Sequence, residues 1–260
     1  MTEAFRINEN RTVDISLAQW ALVEEIRSGK WKTLDFPRIA REEFGLNGIE
    51  FVNTLFELPT ESYLRQLKAN AADYDVDMLL IMVDDEGDGC APTKKGREEF
   101  VLLHRKWVDI AHYLGCHAIR TNCRGPVGAN KQDALEWAFE SYHMLLDYAT
   151  PLGIKILIEN HGGVSDDADW MAQLAKKINH PHFGTYPDWR EPGLHYDNLE
   201  YLKKTLPYAK GMSFRNQPDD DLTIKMIQLC KDAGYIGWYG IESRGREQVI
   251  RSIKLLREFL

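Results

Sequence analysis

The sequence lacks the features that mark disulfide-rich, secreted and membrane proteins. It has four cysteines, and none of them shows CxxC or zinc spacing, so we expect separate reduced thiols in a cytoplasmic protein: Cys90, Cys116, Cys123 and Cys230. No apolar run reaches the roughly 18 residues that a membrane span needs. The polar N-terminal residues contain no apolar segment of the signal-peptide kind, and we therefore expect neither secretion nor membrane insertion.

An excess of positive charge is also missing. The chain of 260 residues has 32 Lys and Arg against 40 Asp and Glu, which gives a formal net charge of -8. Proteins that bind nucleic acid through its phosphates usually present a basic face, and no Lys/Arg block is found here. We therefore expect a small-molecule substrate and no nucleic-acid partner.

No linker rich in Gly, Ser or Pro divides the chain, so residues 1–260 are predicted to form a single domain. Short β-rich runs recur about every thirty residues, the size of one βα unit. Several of these runs are apolar throughout, which is typical of parallel strands buried on both faces. The predicted strands are Ile15–Trp20, Gly48–Val52, Asp77–Val83, Ala118–Asn122, Lys155–Glu159, His182–Tyr186, Lys210–Arg215 and Tyr239–Glu242.

Helical patterns fill the gaps between these strands. The clearest is Arg97–Leu114, in which apolar residues recur every three or four positions and Gly115 follows as a left-handed helix end. Eight such units predict a (β/α)8 TIM barrel. An open doubly wound sheet is the alternative, but no GxGxxG motif follows the first strand to bind a dinucleotide.

Acidic residues stand at the ends of three predicted strands. Glu159 follows an apolar run, Asp188 ends the stretch Gly184–Asp188, and Glu242 ends the last strand. The carboxyl ends of barrel strands meet at one rim, so we expect these three side chains to converge. Crowded carboxylates repel one another, and a divalent cation is the usual remedy. Solvated loop acids and helix N-caps are the alternative interpretation.

Several segments of the chain resemble the sugar phosphate isomerase/epimerase family of xylose-isomerase-like barrels. The resemblance spans nearly the whole chain and rests on Ile158–Gly163, Gly184–Asp188 and Gly240–Glu242, with support from Leu34–Pro37, Gly48–Asn53 and Leu114–Arg120. It implies a xylose-isomerase-like TIM barrel with a carbohydrate substrate. Because that family covers many reactions, the substrate itself stays open.

The resemblance also implies a set of metal ligands. Glu159, Asp188 and Glu242 match three of them, and Ser213 stands where relatives commonly have a His. A neutral hydroxyl is a weaker ligand than an imidazole. The oxygen-rich set favours Mn²⁺ or Mg²⁺ over zinc, held loosely or completed by water or another side chain.

The chemistry that we expect is proton transfer at a carbon next to a carbonyl. Glu159 and Glu242 would remove and return the proton on opposite sides of the substrate, as the resemblance also implies. His161 would donate to a substrate oxygen or shuttle a proton, unless it only supports the loop by hydrogen bonding. The predicted substrate-binding residues are Arg120, Asn122, Arg190, Arg215, Trp20 and Glu50.

Four functions follow from this interpretation. The first is an isomerase or epimerase of a keto-sugar or related polyol. The second is a lyase or dehydratase that expels a substituent from the same enolate, for example from a 3-keto-glycoside or an inosose. A sugar-binding barrel without catalysis is the third, and an apurinic-site endonuclease the fourth; the Ser at position 213 and the acidic balance argue against the endonuclease. The resemblance also allows a homodimer.

Overall fold

The computed structural model describes residues 14–190 and 197–260, and its centre is a single parallel sheet. The sheet has eight strands, each followed by a helical connection. They are β1 (Asp14–Ala18), β2 (Gly48–Val52), β3 (Asp77–Met82), β4 (Ala118–Thr121), β5 (Lys155–Glu159), β6 (Phe183–Tyr186), β7 (Ser213–Phe214) and β8 (Trp238–Ile241).

The strands curl into a nearly closed barrel. Every neighbouring pair is parallel, and the order runs from β6 back through β1 to β8 and then β7. Between β6 and β7, isolated bridges replace a continuous ladder: Thr185 pairs with Ala209 and Asp188 with Ser213. The predicted (β/α)8 TIM barrel is confirmed.

Nine α-helices belong to the described part of the chain. They are α1 (Val23–Arg27), α2 (Phe36–Arg38), α3 (Glu61–Asp73), α4 (Lys94–Leu114), α5 (Lys131–Ala149), α6 (Ala168–Ile178), α7 (Asn198–Thr205), α8 (Asp220–Asp232) and α9 (Arg246–Phe259). Helix α4 ends as predicted, because Gly115 takes the left-handed conformation at φ +86. Within the described residues, no helix is both long and apolar enough to cross a membrane.

The buried side chains fall into two groups. A large cluster fills the space between sheet and helices, whereas a smaller one, which includes Val52, Leu80 and Leu157, lies on the opposite face of the strands. Glu50 shares that inner face and accepts hydrogen bonds from Ser16 and Tyr186. A Cβ at Gly240 would lie 2.5 Å from the Glu50 carboxylate, so the absence of a side chain there gives Glu50 its space.

Two predicted strands extend two or more residues beyond the observed ones, whereas the other six agree to within one residue at each end. The first was expected to reach Trp20 but ends at Ala18, because a 3-10 turn at Gln19–Leu22 carries the chain over the rim. The seventh was expected over Lys210–Arg215 and contains Ser213–Phe214 alone, since its partner on one side is joined only by isolated bridges. As a result, Trp20 lies in the 3-10 turn after β1 and Arg215 in the loop after β7, both at the barrel mouth.

Candidate active site at the barrel mouth

Three buried carboxylates meet at the carboxyl end of the barrel. Glu159 is the last residue of β5, Asp188 follows β6 by two residues, and Glu242 directly follows β8. Each offers one oxygen, and these oxygens all lie within 4.8 Å of one another. The structure thus brings together the three acidic residues that the sequence predicts to converge. We call these three residues the acid triad.

Two arginines offset the negative charge of the acid triad: Arg120 is buried, and Arg215 is partly buried. The Nε atom of Arg120 lies 2.8 Å from Oε2 of Glu159, without the alignment of a hydrogen bond, and its Nη1 donates to Oδ1 of Asp84 at 2.7 Å. Arg215 donates from Nε to Oδ1 of Asp188 at 2.7 Å and from Nη2 to Oε2 of Glu242 at 2.5 Å. Arg215 therefore connects two members of the triad.

The surroundings shift the pKa values of the two glutamates in opposite directions. Burial raises the pKa of Glu159, but Arg120 and His161 outweigh it and hold that pKa below its usual range. Burial raises the pKa of Glu242 well above its usual range, and repulsion by Glu159 and Asp188 adds to the rise despite the attraction of Arg215. Two nearby carboxyl groups with separated pKa values are suited to opposite roles in proton transfer.

Two polar side chains complete the immediate surroundings of the triad. Nδ1 of His161 lies 3.0 Å from Oε2 of Glu159, and its side chain is about one-third exposed at the mouth. The hydroxyl of Ser213 donates to Oδ1 of Asp188 at 3.2 Å. His161 therefore lies between the buried acids and solvent, whereas Ser213 lies beneath them.

The triad fits a divalent cation bound through oxygen. A cation with ligand bonds of about 2.0–2.6 Å needs oxygens separated by no more than roughly 5 Å, and the observed span meets that requirement. Oε1 of Glu242 is also buried without a hydrogen-bond partner, so it has an unused lone pair available for a cation. Glu159, Asp188 and Glu242 are the residues that could hold it, with the Ser213 hydroxyl as a weak neighbour.

Two asparagines fix acidic loop residues through the same pair of hydrogen bonds. Asn160 donates from Nδ2 to the Asp188 carbonyl at 3.0 Å and accepts from the Asp188 N–H at 2.8 Å. Asn53 forms the equivalent bonds with Asp84, both at 2.8 Å. Each side-chain amide continues the parallel ladder beyond the strand ends, and thereby holds an acid in place where regular pairing has stopped.

Replacing Asn160 with Ala is therefore expected to release Asp188. The buried N–H of Asp188 would lose its acceptor, which costs about 1–3 kcal/mol. Chemical denaturation should show this loss in the free energy of unfolding. Asn53→Ala is the matched control: it should cost a similar amount of stability but leave Mn²⁺ binding nearly unchanged, because Asp84 is outside the triad. Equal loss of Mn²⁺ binding in both variants would contradict this assignment.

A cavity of about 460 Å³ opens above the triad, within the usual size range of small-molecule sites. Of the residues predicted to act in catalysis or substrate binding, six line it: Trp20, Arg120, Glu159, His161, Arg215 and Glu242. Asp188 and Ser213 lie next to it through their contacts with Arg215 and with each other.

Three other predicted substrate-binding residues have partners within the protein. Asn122 donates to Oδ1 of Asp84. Glu50 lies deeper in the barrel, bound to Ser16 and Tyr186, and burial raises its pKa to about 7. Arg190 donates to the Asn160 carbonyl and to Asp166. None of the three lines the cavity as the described residues define it, and their contact with substrate stays a prediction.

Sequence reasoning missed the arginines of the outer cavity wall. Arg27, Arg124 and Arg244 all line the mouth. A signal existed for two of them, since Arg124 and Arg244 follow their strands by three residues. It also missed that Asp84 is the second partner of Arg120, because that pairing depends on the register between β3 and β4.

A comparison with family models identifies the family of this chain. Residues 39–259 match the model described as xylose isomerase-like TIM barrel. The chain belongs to that family. The acid triad of this xylose isomerase-like barrel lies within the matched residues, and the resemblance of its strand-end segments to these barrels is confirmed. No curated protein matches the chain in sequence.

Solved structures agree on the fold. A D-tagatose 3-epimerase-like protein superposes with a TM-score of 0.76 at 16% identity, covering 95% of this chain and 96% of its own. The probable 3-DHS dehydratase AsbF from Bacillus anthracis gives 0.70 at 16%, with 94% and 98% covered. A xylose isomerase-like TIM barrel protein from Mycobacterium smegmatis, in complex with magnesium, gives 0.67 at 15%, with 95% of both chains covered. At these identities the likeness shows the fold alone.

Proposed function

We propose that this protein is an isomerase or epimerase that moves a proton at the carbon next to a carbonyl in a keto-sugar or related polyol. The observation that carries the proposal is the acid triad: three buried carboxylates from separate strands meet below one cavity of small-molecule size. Two of them, Glu159 and Glu242, line that cavity directly. Their buried position removes competing water, which strengthens every charge interaction with a substrate.

In this proposal Glu159 takes the proton from the substrate carbon. The electron pair of the broken C–H bond forms a C=C bond while the carbonyl π pair moves onto oxygen, which gives an enediolate. Its negative charge faces the two deeper arginines of the cavity, Arg120 and Arg215. Glu242 then delivers a proton to the opposite face of the same carbon or to the neighbouring carbon. The first outcome inverts a stereocentre, and the second exchanges the positions of ketone and hydroxyl.

We further propose that Glu159, Asp188 and Glu242 hold Mn²⁺ or Mg²⁺ during this reaction. When bound, such a cation polarises the carbonyl and lowers the energy of the negative charge that develops on oxygen. The contribution of the chain itself is to fix the three acids through Arg120, Arg215 and the Asn160 amide. His161, which contacts Glu159 and reaches the mouth, orients that carboxylate and exchanges its proton with solvent.

The second candidate is a lyase or dehydratase. Its first step is the same proton removal, after which the enediolate expels a β-hydroxyl or an aglycone instead of being reprotonated. The position of His161 favours this candidate, because its ring is partly exposed beside Glu159 and could protonate a leaving oxygen. Similarity of fold to a barrel called a probable dehydratase supports it as well.

Proton NMR in D₂O tests both candidates. Keto-sugars and inososes are incubated with the protein, with and without Mn²⁺ or Mg²⁺, the ion being removed by chelation before spectra are recorded. We expect deuterium at the carbon next to the ketone, and a new epimer or isomer rather than loss of water. Loss of water or aglycone would favour the lyase. Binding of these sugars without exchange or product would instead identify a sugar-binding barrel.

A further inference from the structure

The side chains of three arginines at the cavity mouth form no ion pair with a described residue, although the backbone N–H of Arg124 donates to Asp88. Arg27 comes from α1, Arg124 from the loop after β4 and Arg244 from the loop after β8, and all three are exposed. The deeper arginines differ, because Arg120 and Arg215 each form ion pairs with two carboxylates. We call the first three the mouth arginines.

The charge at the mouth contrasts with that of the whole chain. The protein has 40 acidic and 32 basic residues, yet the described cavity lining provides one exposed acid at the mouth, Asp85, against the mouth arginines. The other lining acids are buried and held by the deeper arginines or, for Glu159, by His161 as well. The outer part of the cavity therefore has unbalanced positive charge.

Local contacts orient two of the mouth arginines. Nε of Arg124 donates to the carbonyl of His161 at 2.8 Å, which ties the side chain to the loop that follows Glu159. Its two terminal nitrogens donate to no described residue. The guanidinium of Arg27 lies 5.5 Å from the centre of the Trp20 ring, stacked on a residue that itself lines the cavity. Such restraint lowers the entropy cost of binding an anion.

Two glycines of the loop after β5 pack closely against Arg124. A Cβ at Gly162 would lie 3.8 Å from Cδ of Arg124, and Gly162 has φ +100, where other residues are strained. A Cβ at Gly163 would lie 2.0 Å from the Arg124 carbonyl oxygen, at φ +62. The glycine pair thus allows the loops after β4 and β5 to pack closely, with Arg124 next to the residues that adjoin Glu159.

We propose that the substrate carries an oxyanion, a carboxylate or a phosphate, at the end remote from the reacting carbon, and that the mouth arginines bind it. This inference rests on the proposed function, since the reacting end of the substrate would lie at the acid triad and its other end at the mouth arginines. A planar guanidinium donates two parallel hydrogen bonds to either oxyanion, which is why arginine suits both. A neutral hydroxymethyl group at that end would leave the mouth arginines unpaired.

Matched ligands test the proposal by calorimetry at about 0.15 M salt, where long-range attraction is screened. The four D-2-ketohexoses are compared as the free sugars, the 6-carboxylates and the 6-phosphates, with inorganic phosphate as a separate probe. We expect one anionic series to bind at least tenfold more tightly than its neutral counterpart, equivalent to about 1.4 kcal/mol. Whichever anionic series binds more tightly than the free sugars shows whether the anion is a carboxylate or a phosphate.

Substitutions test whether the mouth arginines cause the preference for anionic ligands. Arg124→Gln and Arg244→Gln are each expected to weaken the anionic ligand about tenfold and the neutral sugar less than twofold. Arg65→Gln is the matched control, because Arg65 is an exposed arginine of α3 whose one ion pair among the described residues is with Glu61 at 3.7 Å. This variant should change neither affinity. Equal affinity for neutral and anionic sugars, absence of binding by every anionic probe, or a preference that survives both mouth variants would overturn the proposal.

The same samples in D₂O separate this proposal from the proposed function. Anion-selective binding without deuterium exchange would support the anion site and refute proton transfer. Exchange with equal kcat/KM for neutral and anionic sugars would support proton transfer and refute the anion site.

Discussion

Replacing Glu159 or Glu242 with Gln is expected to reduce epimerisation or isomerisation about 10³-fold. A positioned general acid or base typically contributes 10²–10⁴ to the rate, and Gln has nearly the same shape but cannot take up the proton. If the two glutamates act on opposite faces of the substrate, each variant should retain deuterium exchange that starts from one of the two epimers. The measurement is NMR exchange in D₂O from each epimer separately.

Three control variants make this result interpretable. Glu86→Gln makes the same change at a residue that follows β3 but binds Lys106 and Trp107, and it should keep full activity. Asp188→Asn removes a triad carboxylate that lies outside the proposed proton pair. We therefore expect its loss of activity to scale with the loss of bound metal and to be the same from either starting epimer. A Glu159 or Glu242 variant that epimerises within tenfold of the native rate would remove that glutamate from the mechanism.

Arg215→Met is expected to lower the free energy of unfolding by about 3–5 kcal/mol in the absence of divalent cations. The substitution leaves Asp188 and Glu242 buried without their cationic partner, and loss of one member of a buried ion pair has costs of that size. Added Mn²⁺ should recover much of the loss, because a cation that binds only the folded state stabilises it. Thermal and urea unfolding with and without Mn²⁺ measure both effects.

The control for this variant is Arg251→Met. Arg251 pairs with Asp220 where both side chains are substantially exposed, and such pairs contribute about 0–1 kcal/mol. Its unfolding should change little, and Mn²⁺ should affect it as it affects the native protein. An Arg215→Met variant as stable as the native protein would show that the triad does not depend on this arginine. Absence of recovery by Mn²⁺ would argue against the triad as a cation site.

Much of the fold follows from local patterns in the sequence. The apolar stretch Asp77–Met82 is a buried strand, and Gly115 ends α4 in the left-handed conformation, as its position predicted. Strand ends were harder to predict. β1 stops at Ala18 although Gln19 and Trp20 fit a strand pattern, because Gln19 uses its side chain to bond the backbone of Val52 and the hydroxyl of Thr33.

The acids of the candidate site were easier to find than their partners. A carboxylate at the end of an apolar strand stands out in the sequence, and barrel geometry sends all such residues to one rim. The roles of Asn53 and Asn160 do not stand out, because an asparagine in a loop usually indicates only a turn. The partners of Arg120 depend on the register of three strands, which no local pattern contains.

The gap in pairing between β6 and β7 has a consequence for ligand entry. Continuous ladders join the other neighbouring strands, but here two isolated bridges and the ion pair between Asp188 and Arg215 join the two edges. We therefore expect the barrel wall to open most easily beside Asp188, the triad member that lies at this gap. A bound ligand that contacts both edges would hold them together. Opening of the barrel at this gap should therefore become rarer when a ligand is bound, and ligand release should require the gap to open.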